Sequence, residues 1–100
     1  MKHKLTAAEV KALYELMEQI ADMPAPSTPQ NRLLKLLLFR IYKKLLNKTV
    51  QQRSHFTLTF SQEEALTFYL FFQHAPIPIQ TFVGTLLHRM LAEIHQKIIV

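Results

Sequence analysis

The residues best suited to ligate a metal or carry a proton in this 100-residue chain are five histidines, His3, His55, His74, His88 and His95. Helical chelation needs ligands three or four residues apart. His88 and His95 are seven apart, about 10 Å along a helix that rises ~1.5 Å per residue, so one zinc ion cannot take both. The chain has no cysteine, which removes thiolate chemistry and any disulfide framework and fits a reducing compartment, with cytoplasm the expected location. Nucleophilic catalysis has no frame either. Ser27 lies in a proline-rich linker, Ser54 precedes an extended segment, Ser61 is placed to cap a helix, and Asp22 is the only aspartate able to orient a base. The paired carboxylates Glu63 and Glu64 fall in a helix's first turn, where the macrodipole accounts for them. A single glycine, Gly84, excludes a glycine-rich phosphate cradle. No catalytic residue, metal ligand or cofactor site is expected, and the chain reads as non-enzymatic.

Charge is the remaining chemical signal. The net charge is +5, and residues 32–53 hold seven cations and no anion: Arg32, Lys35, Arg40, Lys43, Lys44, Lys48 and Arg53. Each flank carries one negative charge in excess, so the whole basic surplus belongs to one segment. Seven cations could neutralise several phosphates, which makes nucleic-acid binding the competing functional reading. Its weakness is pattern. Leu36 and Phe39 interrupt the basic arc, and the breaks at 23–29 and 74–78 are proline-rich rather than helix-turn-helix turns. Lysine and arginine stems also cover apolar surface while their heads stay wet, which needs no ligand.

The elements that position these residues are mostly helical. Hydrophobic residues make up 49% of the chain and charged ones 19%, enough to bury a core at the usual size of one domain. The composition therefore predicts an all-α, compact four-helix domain spanning 1–100, with one short extended segment between helices 2 and 3. Thr6 and Glu9 form a capping box, with Leu5 and Val10 as a staple, and open helix 1 over about 7–22. Three prolines in Met23–Pro29 make a stiff connector, and Thr28–Pro29 starts helix 2 over about 29–50. Ser61 and Glu64 form a second capping box for helix 3 over 62–74, and Pro78 suits the first turn of helix 4 over 78–98. Gly84 within helix 4 suggests close packing by a neighbouring helix.

Within helix 2, Leu34, Leu37, Leu38, Ile41, Tyr42 and Leu45 share a broad core face, while Leu33, Leu36 and Phe39 point the other way among the cations. Four short helices cannot cover both sides of one of them, so the second side is expected to meet a partner chain or a wrapping segment. Residues 55–60, HFTLTF, alternate with period two and read as a strand. A lone strand leaves backbone groups unpaired. Pairing with a second subunit is one solution, with Phe56, Leu58 and Phe60 as a self-association element; an extended connector that drops those three side chains into the core is the other. The N-terminus lacks an apolar run of the secretory kind, and polar residues and prolines break the long uncharged stretch 65–88, so membrane partnering is not expected. The preferred reading is a protein-interaction or adaptor module that self-associates as a homodimer, with Arg32, Lys35, Leu36, Phe39, Arg40, Lys43, Lys44, Lys48 and Arg53 as the candidate surface for another protein or a nucleic acid.

Overall fold

The computed structural model describes residues 1–21, 28–73, 75 and 77–99. Its elements are β1 (Lys2–Thr6), α1 (Ala7–Ala21), α2 (Pro29–Thr49), β2 (His55–Thr59), α3 (Gln62–Phe72) and α4 (Phe82–Ile94), which a π-helical turn, His95–Ile99, prolongs. Four helices and an extended segment between the second and third are as expected. The bounds differ at the proline breaks, and Asp22 and most of the connector lie outside the described residues.

Both capping boxes form. Thr6 Oγ1 accepts from the Glu9 amide at 3.2 Å while Glu9 Oε1 accepts from the Thr6 amide at 2.8 Å, and Ser61 and Glu64 repeat the exchange at 3.1 and 2.8 Å. Thr28 caps α2 with Pro29 in its first turn. Helix 3 ends at Phe72, two residues short of the expected limit. The start of α4 moves further, from 78 to 82, because the Pro78 carbonyl closes a turn by accepting from both the Thr81 amide and its hydroxyl, and Thr81 then caps through the Gly84 amide. Gly84 is needed at this turn, not at a helix crossing: a Cβ there would overlap the Pro78 carbonyl oxygen.

β2 is not alone. β1 pairs with it antiparallel, with Lys2 opposite Thr59, Lys4 opposite Thr57 and Thr6 opposite His55. The backbone demand that suggested a second subunit is thus met inside the chain, by the segment KHKLT, whose alternation is buried at His3 and Leu5 and exposed at Lys2, Lys4 and Thr6. Phe56, Leu58 and Phe60 face the core at 7%, 0% and 1% exposure, so their side chains are not available for self-association. Because β1 leads directly into α1 and the turn after α2 leads into β2, the strand pairing brings the start of α1 beside the end of α2; the Ala7 amide donates to the Ser54 carbonyl at 3.0 Å. The two helices lie as an antiparallel hairpin, with the Tyr14 and Tyr42 rings stacked 5.3 Å apart further along it. Leu13 and Met17 of α1, Ile41 and Leu45 of α2, Leu58 of β2, Phe68 of α3 and Met90 and Ile94 of α4 close one core.

Candidate interaction surface on α2

α2 has the two faces its periodicity requires. Leu38, Ile41 and Leu45 are buried, and Leu34, Leu37 and Tyr42 are half-buried beside them. On the opposite side Leu36 is 64% exposed, Phe39 43%, Leu46 40% and Val50 77%. With Arg32 and Lys43 they form a stripe, 32, 36, 39, 43, 46 and 50, at alternating steps of four and three residues, which is the spacing of a helix seam that meets another helix. Leu33, also exposed, flanks it.

The cations do not form one surface. Lys44 Nζ reaches Glu64 Oε1 at 2.6 Å and also donates to the Thr59 carbonyl at 2.8 Å, and Arg40 Nε stands 3.9 Å from Glu64 Oε2. Glu64 is fully buried, so its carboxylate draws these two side chains towards α3. Burial pushes the Glu64 carboxyl up, but the bond from Lys44, the Ser61 amide and the Lys44 charge together hold it below the usual carboxylate range. Lys43 turns along its own helix, with Nζ 5.1 Å from the centroid of the Phe39 ring. Lys48 and Arg53 leave the helix face altogether and line a groove at the end of the sheet. Arg32 and Lys35 are placed at the start of α2, Arg32 exposed and Lys35 half-buried. The expected basic arc is therefore divided among a buried acid, an aromatic ring and a separate groove. Glu15 and Glu18 of α1 line a neighbouring groove with Lys48.

Sequence reasoning missed a second polar assembly, where β1 meets α4. His3 Nδ1 bonds Glu93 Oε2 at 2.9 Å, Arg89 Nη1 bonds Glu9 Oε2 at 2.9 Å, and Arg89 Nε stands 3.7 Å from Glu93 Oε1. His3 is buried against the Phe60 ring, and its Nε2 has no partner among the described residues. Burial lowers the His3 pKa from 6.5 although Glu93 pulls the other way. Glu9 is pushed up by burial and brought down further by the Thr6 amide and by Arg89, for a net lowering. Partners 80 and 90 residues apart leave no sequence signal, but the alternation of KHKLT was one. The Tyr14 hydroxyl, 3.3 Å from that of Tyr42, is pushed up to about 12, first by that hydrogen bond.

Among the described residues no cluster of histidine and acid side chains could hold a metal ion, and no helix is long and apolar enough to cross a membrane. No known family, curated protein or solved structure matches the chain.

Proposed function

We propose that the protein is a non-enzymatic interaction module that self-associates through the outer face of α2. The observation that carries this reading is the exposed stripe at helix-seam spacing, with apolar side chains at four of its six positions. Its order also suits a second copy. In a two-fold antiparallel pairing centred level with Ile41, Leu36 of each copy lies opposite Leu46 of the other, and Phe39 lies opposite Lys43. Each lysine then sits over two aromatic rings, its own and its partner's. A parallel pairing sets Lys43 against Lys43 instead, which like-charge repulsion disfavours.

Burying a leucine or phenylalanine side chain contributes about 1.5–3 kcal/mol relative to leaving it exposed, so this stripe supplies most of the drive for association. Both protomers carry +5, and salt screens their mutual repulsion. Light scattering at micromolar concentration should therefore give about twice the 11.7 kDa chain mass, with the dimer strengthened by added salt. Leu36→Glu with Leu46→Glu changes only exposed positions and should yield a folded monomer. A wild-type chain that stays at 11.7 kDa through the same range overturns the proposal. Nucleic-acid binding along the α2 face itself is disfavoured by the engagement of Arg40 and Lys44 with Glu64.

A further inference from the structure

We infer that the solvent face of the β1–β2 ribbon, with Lys48 and Arg53 beside it, is a binding surface for the phosphodiester backbone of a nucleic acid. The outward residues of the two strands are Lys2, Lys4 and Thr6 on β1 and His55, Thr57 and Thr59 on β2, all exposed and cross-paired by the register. Among them there is no acid and no large apolar side chain. The end of the ribbon formed by residues 4–6 and 55–57 lines an open groove of about 620 Å³, to which α2 contributes Lys48, the turn after it Arg53, and α4 Arg89. Glu9 is the single acid in the lining, and Arg89 neutralises it at 2.9 Å. Lys4, Lys48 and Arg53 have no ion-pair partner among the described residues, so three positive charges face one groove uncompensated. Lys48 also borders the neighbouring groove that holds Glu15 and Glu18, which makes Lys4 and Arg53 the stronger pair.

The form of the site selects the ligand class. A phosphate monoester pocket gathers amide donors and cations around one point, whereas these cations come from three separate elements along an open trough. A lipid surface needs an apolar side chain to insert, and the ribbon offers threonines. A repeating polyanion fits, because its successive phosphates can meet cations spread along a trough, as Lys4, Lys48 and Arg53 are. A two-stranded ribbon is also an element that the major groove admits. This site is distinct from the α2 stripe, and self-association is read by a different measurement.

The test is fluorescence anisotropy with a short mixed-sequence DNA duplex. Three phosphate contacts give a log–log salt slope of about −2.7, so the dissociation constant should rise about 40-fold between about 50 and 200 mM salt. Lys4→Gln with Arg53→Gln should reduce the slope to about −0.9, with circular dichroism confirming that the fold is kept. Lys43→Gln, on the outer face of α2, should leave the binding and its slope unchanged. The inference is overturned by the absence of binding at about 50 mM salt, by binding that the double substitution leaves intact, by equal loss in Lys43→Gln, or by vesicles containing phosphatidylserine binding where the duplex does not.

Discussion

Replacing Lys44 with methionine tests the electrostatic arrangement that joins α2 to α3. Glu64 is 0% exposed, while the Lys44 side chain is 40% and the Arg40 side chain 61% exposed. Removing one partner of a fully buried ion pair costs about 3–5 kcal/mol. Here the lysine is partly wet and Arg40 can move in from 3.9 Å, so solvent screening and substitution reduce the electrostatic loss to about 1 kcal/mol. The bond from Lys44 to the Thr59 carbonyl adds about 1 kcal/mol, giving about 2 kcal/mol in all. For a domain of this size that lowers the melting temperature by roughly 8–16 °C. The pH dependence is the sharper readout. The folded-state pKa of Glu64 lies below its ordinary value of 4.5, so the pair's contribution is fully present above that value and is lost as pH falls through the folded pKa. Thermal unfolding at neutral pH should separate wild type from Lys44→Met by about 2 kcal/mol. In acid, where the Glu64 part is lost, the gap should narrow to the Thr59 bond's share of about 1 kcal/mol. A difference under about 0.5 kcal/mol at pH 7, the range of ordinary surface substitutions, or one of constant size down to acid pH, refutes the reasoning.

Two further substitutions probe single positions. Gly84→Ala, which in an open helix gains up to about 1 kcal/mol, should here destabilise by about 1–3 kcal/mol, because the new methyl group forces the Pro78–Thr81 turn apart; a gain in denaturant midpoint contradicts this. His3 is held neutral by burial, with a folded-state pKa below 6.5. Above that value both folded and unfolded states are neutral, and below it the unfolded chain takes up a proton that the fold resists, so stability should fall as pH drops below 6.5. His3→Leu should flatten that limb of the stability curve in chemical denaturation, and an unchanged slope excludes His3 as its source.

The sequence alone determined what local chemistry determines. Thr6 with Glu9 and Ser61 with Glu64 were legible as caps because a capping box is closed within four residues, and the two faces of α2 followed from leucines recurring at helical spacing. The exposure of Leu36 and Phe39 was legible for the same reason. The tertiary structure decided everything that depends on residues meeting from a distance. β1 gave a weak strand signal because one of its two inward residues is a histidine, and only the pairing with β2 shows that His3 belongs to the core. That pairing also turned Phe56, Leu58 and Phe60 from a candidate self-association element into core side chains. Gly84 could be marked as unusual from its type, but its cause was a carbonyl six residues earlier, brought close by the turn at Pro78. Seven cations counted over residues 32–53 suggested one basic surface. A buried carboxylate on α3 drew Arg40 and Lys44 aside, and the end of the helix delivered Lys48 and Arg53 to the ribbon. A charge count is additive along a chain, but an electrostatic surface depends on where each side chain finds its partner, and that is fixed only when the helices pack.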